Sequence, residues 1–329
     1  MKNHWSFSDK KNCMLRVINQ KRAWLAGILL AGFVMPSKAQ QQPMYSQYMF
    51  NMLNINPAYA GSRGVPSVTA LYRNQWVGIP GAPATSSISF DMPIDAKKIG
   101  VGVQLFDDRL GIERTTGLNL AYAFRIQLSE SGTLSLGLQA GLLNYRANYL
   151  DVTTFQANDP SFNQNVSALL PSAAAGVYYN SDKFYIGFST PALLKTKVGY
   201  DNATDIQSVS GRDLHLFLTS GCAITLNPEL VLKPSFLVKA VSGAPVQFDV
   251  NSNLWIQNKI AFGCSYRTGD AVVFLAELQL NNQLRFGYAY DSYTNKNISL
   301  GSLSTVTHEM MLRMEFGNTN GKVSSPRYF

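Results

Sequence analysis

The stretch GLNLAYAFRIQL (Gly117–Leu128) alternates between two kinds of side chain. Its even positions, from Leu118 to Leu128, carry large apolar side chains, and its odd positions carry small or polar ones that include Arg125. Successive side chains of a β-strand point to opposite faces of the sheet, so such a strand borders two different environments. The stretch therefore predicts a β-strand with one apolar face and one polar or small face.

The same alternation recurs along most of the chain. Near the C-terminus, for example, Met310, Leu312 and Met314 share one parity, and Met311 and Arg313 share the other. Candidate strands of this kind lie near 65–78, 83–93, 98–109, 113–128, 132–147, 169–180, 183–191, 211–226, 229–240, 244–256, 258–268, 271–280, 283–292 and 305–316.

A soluble β-sandwich and a membrane barrel both alternate in this way. The barrel is favoured because the segments approach the roughly 9–11 residues that a strand needs to cross a bilayer. A sheet in lipid must also close on itself, so that every backbone polar group is paired. The sequence therefore predicts an all-β fold: a transmembrane antiparallel β-barrel of about 14 strands over 65–316, preceded by a short N-terminal periplasmic or plug segment, 40–64.

The links between the strands indicate how the barrel is oriented. Short turns belong on the periplasmic side and long loops outside. Short links at 227–229, 242–244 and 281–283 are therefore expected in the periplasm, and long links at 148–168 and 192–210 outside the cell. Aromatic residues near strand ends are expected in the interfacial girdles: Tyr72, Trp76, Tyr178, Tyr179, Tyr288 and Tyr290.

Residues 1–39 have the layout of a secretory signal peptide. They hold seven of the 28 basic residues and one of the 20 acidic ones, which leaves 21 against 19 in the remainder. An apolar run, 23–35, precedes the small-residue pattern Ser37-Lys38-Ala39, so cleavage after Ala39 and export to the outer membrane are expected. A membrane anchor is the alternative, but the run is shorter than the roughly 18–20 residues of a spanning helix. The nearly neutral remainder predicts no nucleic-acid partner. Contact with outer-membrane lipid is expected from the predicted barrel.

The sequence offers little for catalysis or metal binding. Beyond the signal peptide the histidines are His215 and His308, and neither lies in a nucleophile or metal motif. Cys222 and Cys264 lie in strand-like segments without ligand spacing, so buried or lipid-facing thiols are expected. We predict no catalytic residues, no metal and no cofactor, and an enzyme at His215 remains the weakest hypothesis.

Charged residues also occupy the polar face of several strands. They include Arg125, Asp249, Arg285 and Asp291, and both signs are interspersed. One interpretation is a polar channel or binding lumen, and the other is a network of paired charges that stiffens the barrel from inside. A barrel of about fourteen strands is wide enough that side chains or a plug must fill it.

The segment before the first strand is unusually rich in aromatic residues and methionine. As an α-helix, MYSQYMFNML (44–53) places such side chains on one face at i, i+3, i+4 and i+7 spacing, and Asn56-Pro57 would end it. The helix could enter the lumen as a plug, or dock a partner at the barrel mouth. Both alternatives concern the same residues: Tyr45, Tyr48, Met49, Phe50, Asn56, Pro57 and Tyr59. After the last strand, the tail 317–329 is either a frayed end or a recognition signal.

Three stretches together resemble a known family. They are YSQYMFNMLNINPAYAGSRG, LYRNQWVGIPGAPATSSISFD and the C-terminal SPRYF. In this spacing they resemble the PorP/SprF family of outer-membrane proteins, associated with type IX secretion and gliding motility in Bacteroidetes. Besides the N-terminal segment, the residues that carry the resemblance are Arg73, Gln75, Trp76, Arg327, Tyr328 and Phe329.

The resemblance implies a role without catalysis. It implies support for export or surface retention of specific adhesins or C-terminally tagged cargo, through contacts with periplasmic type IX secretion components and a large secreted adhesin or tagged cargo protein. The alternative that the polar face supports is a porin or transporter for small or apolar solutes.

Overall fold

The computed structural model describes residues 44–95, 98–152, 162, 164–194, 197–198, 210–211, 215–241, 244–294 and 306–317. Within them the chain forms seventeen β-strands. They are β1 (Ser67–Asn74), β2 (Ala84–Asp95), β3 (Ile99–Leu110), β4 (Glu113–Gln127), β5 (Thr133–Ala147), β6 (Val166–Asn180), β7 (Phe184–Thr190), β8 (Lys197–Val198), β9 (Ser210–Gly211), β10 (His215–Cys222), β11 (Ile224–Asn227), β12 (Leu230–Val241), β13 (Gln247–Ile256), β14 (Ile260–Arg267), β15 (Ala271–Gln279), β16 (Leu284–Tyr293) and β17 (Val306–Glu315).

Fifteen of these segments form one closed antiparallel barrel of fourteen strands. Each barrel strand pairs with the barrel strand before it along the chain, and β1 pairs with β17 in a register that runs from Ser67 opposite Glu315 to Asn74 opposite His308. The strands β10 and β11 are two halves of one barrel strand, because both pair with β12 and only Ala223 separates them. The short pair β8 and β9 stands apart from the barrel sheet. The prediction of a closed barrel with about fourteen strands is therefore confirmed, and the sandwich is excluded.

The two faces of the wall differ as the alternation predicts. In β4, Leu120 is 54% exposed on the outer face, whereas Ala123 is fully buried on the inner face. The outer face is covered by exposed leucine, isoleucine, valine and phenylalanine side chains, and the inner face carries charged, polar and small ones. Such a wall has lipid as its outer solvent and a polar interior.

The prediction of aromatic girdles is wrong at one position. Tyr178 points into the barrel, where it is 1% exposed and packs against Tyr185 with ring centroids 5.8 Å apart. Its parity in β6 is that of the inner face, so it contributes to the interior instead of the bilayer boundary. Tyr72, by contrast, is exposed on the outer face.

Connections of different length lie at the two ends of the barrel. The links 96–98, 128–132, 181–183, 228–229, 257–259 and 280–283 share one end, called the short-turn end below. The opposite end, called the long-link end, has the longer links, including 148–165 and 191–214, most of whose residues lie outside the described ranges.

One link that was predicted to be a periplasmic turn, 242–244, lies at the long-link end. Strands β12 and β13 are antiparallel neighbours, so the link 242–246 joins them at the long-link end and not at the short-turn end. The short length of this link did not predict its end of the barrel correctly, because short links occur at both ends. Among the described residues, no helix is long and apolar enough to cross a bilayer.

Candidate functional site: a segment of the chain inside the barrel

Residues 44–64, called the plug below, lie inside the barrel. They form three short 3-10 turns, Tyr48–Phe50, Met52–Asn54 and Pro57–Tyr59. The predicted α-helix is therefore wrong. An amphipathic helix needs one face turned to solvent, but nearly every side chain of this segment is buried, and polar Gln47 is as buried as its apolar neighbours.

The turn before the first strand follows from local chemistry. Asn56 has extended backbone angles, and its side-chain oxygen accepts a hydrogen bond from the amide of Ala58 at 3.0 Å. Pro57 occupies the first position of the turn, where a missing amide proton is tolerated. The amide group of Asn56 also donates to the carbonyl oxygen of Val177 on the barrel wall at 3.1 Å. One residue thus begins the turn and binds it to the wall.

The apolar side chains of the plug form the main core of the molecule. Tyr48, Met49, Phe50 and Leu53 are each at most 2% exposed. Burial of a large apolar side chain contributes about 1.5–3 kcal/mol. Tyr59 packs edge-on against Tyr178 of the wall, with ring centroids 5.4 Å apart. Inner-face residues complete this core: Ala121, Tyr185, Phe217, Leu237, Val273, Leu275 and Met311.

Two glycines of the wall let the plug backbone approach closely. A Cβ atom built on Gly100 would overlap the carbonyl group of Ala60, and one built on Gly137 would overlap the backbone of Ala58. Both glycines belong to the inner face of their strands. The wall is therefore shaped to fit this segment at its short-turn half.

Toward the long-link end, the plug is held by buried charges of the wall. The amides of Ser46 and Gln47 donate to the two carboxylate oxygens of Glu309, each at 2.8 Å. The hydroxyl of Ser46 donates to Asp291 at 2.7 Å and accepts from Arg73 at 2.8 Å. Arg73 in turn pairs with Asp291 at 2.8 Å and with Glu309 at 2.9 Å. We call Ser46, Gln47, Arg73, Asp291 and Glu309 the upper anchor.

Toward the short-turn end, a second group of polar contacts holds the plug. Arg63 pairs with Glu315 at 2.6 Å. The amide of Gly61 donates to Asp91 at 3.0 Å, and its carbonyl oxygen accepts from Arg125 at 2.9 Å. We call Gly61, Arg63, Asp91, Arg125 and Glu315 the lower anchor. Because the two anchors lie near opposite ends of the strands, the plug runs through most of the height of the barrel.

The remaining charges predicted to face the lumen are buried on the inner wall. Asp249 pairs with Arg267 at 3.1 Å, and Arg267 also lies 3.6 Å from Asp291. Arg285 lies 3.6 Å from the carboxylate of Glu277, and its guanidinium stacks on the Trp255 ring at 4.7 Å. These contacts are of the kind that the interpretation of a paired charge network predicts.

The other motif residues lie at the long-link end or outside the described ranges. The amide of Gln75 donates to the carbonyl oxygen of Pro83 at 2.9 Å, which closes the loop after β1. Trp76 has a left-handed backbone (φ 48°), and its ring packs against Tyr293 at 6.4 Å. Arg327, Tyr328 and Phe329, together with the predicted signal peptide, lie outside the described residues.

Burial sets the ionisation of the plug. Burial raises the pKa of the Tyr48 phenol well above its ordinary value, and it also raises the pKa of Tyr45 and Tyr59. Burial alone would lower the pKa of Arg63, but the neighbouring Tyr59 and Glu315 raise it overall. The plug therefore holds neutral phenols and a permanently charged guanidinium at neutral pH.

Several anchor residues were not predicted. Glu309 has the inner-face parity of β17, so its burial follows from the alternation, but its pairing with Ser46 bridges 263 positions and leaves no local signal. Ser46 and Gln47 are polar residues within a run of aromatic and methionine side chains, which is the signal that a buried polar contact was needed.

The two histidines of the described residues lie in different surroundings. His215 is buried beside Phe217, whereas His308 contacts the Tyr288 hydroxyl at 2.6 Å. Cys222 and Cys264 are free thiols. Within the described part of the chain, no group of three or more His, Cys, Asp or Glu side chains is placed to hold a metal ion.

The closed sheet, its apolar outer face and its polar interior define an outer-membrane β-barrel. Within that class, the chain belongs to the family of type IX secretion system membrane proteins PorP/SprF, which matches residues 37–314. Neither the family description nor the fold points to an enzyme. The search of curated proteins found no match to this chain.

Solved structures with a similar barrel include outer-membrane channels and transporters. The CymD monoaromatic hydrocarbon channel is 10% identical, over 84% of this chain and 94% of its own, with a TM-score of 0.49. The toluene transporter TodX of P. putida is 12% identical, over 82% and 94%, with a TM-score of 0.46. A FadL homologue of Pseudomonas aeruginosa is 11% identical, over 85% and 96%, with a TM-score of 0.46.

Proposed function

We propose that this outer-membrane protein supports type IX secretion through protein–protein contact, by assisting the export or surface retention of a specific adhesin or C-terminally tagged cargo. The observation that carries the proposal is the plug. Among the described residues, the plug packs inside the barrel and binds its wall near both ends, which supports a lumen closed to a polypeptide. A secretion component with a filled lumen acts through its surfaces.

The family and the two different ends of the barrel support two kinds of partner. Periplasmic secretion components would meet the short-turn end, and the cargo would meet the long-link end, since long loops of such barrels lie outside the cell. In this arrangement residues 1–39 direct export and are removed after Ala39. The residues predicted to form either a plug or a docking segment for a partner are buried, so we assign them to the plug.

Deletion of the gene tests the proposal. We expect one or a few surface adhesins or tagged proteins to disappear from the cell surface in whole-cell proteolysis followed by mass spectrometry, with gliding lost where the missing adhesin serves motility. Other outer-membrane proteins should keep their levels. Unchanged display of every such protein would contradict the proposal.

Affinity capture of the mature protein from outer membranes tests the partners separately. Secretion components or one large cargo should be enriched relative to capture of an unrelated barrel of similar abundance. Recovery of the barrel alone, under mild detergent and after crosslinking, would count against a role in contact with other proteins.

A solute channel is the second candidate, because the inner wall is polar and the plug is held by contacts that can be released. Conductance in planar bilayers separates the two candidates. We expect the native barrel to be electrically silent, and Glu309→Ala, which removes the carboxylate of the upper anchor, to open transiently. Met310→Ala, on the outer face of the same strand, is the matched control and should stay silent. Steady conductance of the native protein would favour the channel.

A further inference from the structure

The outer face near the long-link end carries three rows of side chains that cross neighbouring strands in register. The first is apolar. Ile88 lies opposite Leu105, Leu105 opposite Leu118, and Leu118 opposite Leu142, across β2 to β5. All four side chains are 41–55% exposed on the lipid-facing side. This apolar row lies at the upper part of the bilayer-facing surface.

The second row, two residues nearer the long-link end, is polar. Ser86 lies opposite Asp107, Asp107 opposite Thr116, and Thr116 opposite Asn144. Polar residues do not face hydrocarbon unless they serve a purpose, so this row marks the edge of the apolar belt. Together the two rows line an open depression of about 450 Å³, with Leu169 at its far side.

The third row consists of arginines. Arg109 lies opposite Arg114, and Arg114 opposite Arg146, on three adjacent strands of the same outer face. All three are exposed. Asp107 binds Arg109 at 2.9 Å and Arg114 at 2.6 Å, which directs both guanidinium groups toward the depression.

Like charges directly opposite one another on neighbouring strands destabilise a sheet. One carboxylate set against three guanidinium groups leaves an excess of two positive charges at the membrane boundary. An anion bound to this row would remove the repulsion. The planar fork of arginine matches phosphate in a bidentate geometry.

We propose that these three rows form a binding site for a phosphorylated membrane lipid, with an acyl chain in the apolar depression and a phosphate on the arginine row. The order of the rows from hydrocarbon to water is that of such a lipid: apolar, polar, then cationic. A site of this kind would fix a lipid beside the long loops and leave the plugged lumen untouched. It stands on the outer wall alone, independently of the function proposed above.

The test uses the purified full barrel in neutral detergent, with lipid retention measured by native mass spectrometry. The probes are a diphosphorylated lipid A, the same lipid after enzymatic dephosphorylation, and inorganic phosphate. We expect the phosphorylated lipid to bind at least about tenfold more tightly than the dephosphorylated one, since tenfold corresponds to one moderate charge-assisted contact. Inorganic phosphate should compete weakly. Equal binding of the two lipids, or competition by phosphate as strong as by the lipid, would overturn the assignment.

Two sets of variants locate the site. The triple variant Arg109→Gln, Arg114→Gln, Arg146→Gln should retain the phosphorylated lipid about tenfold less or worse. Its control is Lys98→Gln, Lys183→Gln, Lys259→Gln, which removes the same charge from exposed positions at the short-turn end. Equal losses in both triple variants would show unspecific attraction and would refute the site.

The acyl-chain part of the site has its own test. Leu118→Trp places a large ring in the depression, and Leu120→Trp places the same ring one row lower on the same strand and face, outside it. Only the first should weaken lipid binding, while both variants keep the heat-modifiable gel migration of a folded barrel. Both tryptophan variants keep the three arginines, so this test does not depend on whether the triple arginine variant folds. Equal lipid binding by the two tryptophan variants contradicts the proposed chain position.

Discussion

The inner and outer faces of the barrel wall share every strand, yet they respond to different constraints. In β17, Met310 and Leu312 point outward into lipid, where one apolar side chain replaces another with little change. Glu309 and Arg313, one position away, point inward. Glu309 accepts hydrogen bonds from the plug, and Arg313 donates to Thr69 on the neighbouring strand β1. The outer face therefore requires only that its side chains be apolar, whereas the inner face requires particular side chains at particular positions.

The largest difference between the faces is expected at Glu309. Replacing it by Ala leaves the amides of Ser46 and Gln47 without their acceptor and removes one of the two carboxylates of Arg73. Breaking a buried ion pair from one side costs about 3–5 kcal/mol. Urea unfolding in detergent, followed by the loss of heat-modifiable migration, should report a loss of this size.

The matched control for this change is Met310→Ala. Its side chain is 49% exposed on the outer face, so truncation should change the free energy of unfolding by less than about 1 kcal/mol. Similar losses at both positions would mean that the Glu309 carboxylate contributes no more than an exposed side chain of the outer face, which would contradict the anchor.

A smaller effect is expected from added volume on the inner face. Gly100→Leu drives a side chain into the carbonyl group of Ala60, and overpacking of this kind costs about 1–3 kcal/mol. The plug backbone would have to move away from β3, so limited proteolysis should begin to cut within 44–64. Val101→Leu, at the adjacent outward position, adds volume toward lipid and should leave the plug protected. Protection of the plug in both variants would show that the wall yields more readily than the plug.

Alkaline pH tests the buried phenols of the plug, which contact the inner face. Burial raises the pKa values of Tyr45, Tyr48 and Tyr59 above the roughly 10 of an unfolded chain. A raised value means that the stability is present below about pH 10 and is lost as pH rises further, by about 1.4 kcal/mol per pH unit for each phenol. Stability measured between pH 9 and 11 should fall more gently in Tyr59→Phe than in the native protein. The same slope in both would place the ionising groups elsewhere.

The alternation predicted which side chains lie on the outer face and that these are apolar. For the inner face it predicted only which side chains point inward, not which partners they bind. The strand list and the inward direction of Arg73, Arg125 and Asp291 follow from period two, because facing is a local property of a strand. The closure follows from the requirement that a sheet in lipid pairs all its backbone groups. The pairs that hold the plug do not follow, since Ser46 and Glu309 are joined only when β1 and β17 close the ring.

The plug itself shows the limit of the periodic argument. Its spacing fits a helix, but a segment enclosed by a wall on all sides has no reason to keep a polar face, and short 3-10 turns fit the available contacts. Asn56-Pro57 was predicted to end that helix, whereas in the structure the two residues begin the third turn. The glycine positions that receive the plug, Gly100 and Gly137, looked like ordinary barrel glycines until their neighbours across the lumen were known.

The smallest expected effect separates packing from hydrogen bonding within the plug. Tyr48 is 1% exposed, and its hydroxyl lies 3.5 Å from the hydroxyl of Ser235, a long contact. Tyr48→Phe keeps the ring in the core and removes that contact, so a loss near the lower end of about 0.5–1.5 kcal/mol is expected. Ser235→Ala should cost more, because the Ser235 hydroxyl also bonds to Tyr185, and the double variant should cost little more than Ser235→Ala alone. Tyr72→Phe, on the outer face, controls for loss of a phenol exposed to the membrane boundary. Additive losses in the double variant would show that the two hydroxyls bond to other groups, and that the ring of Tyr48 alone carries its part in holding the plug.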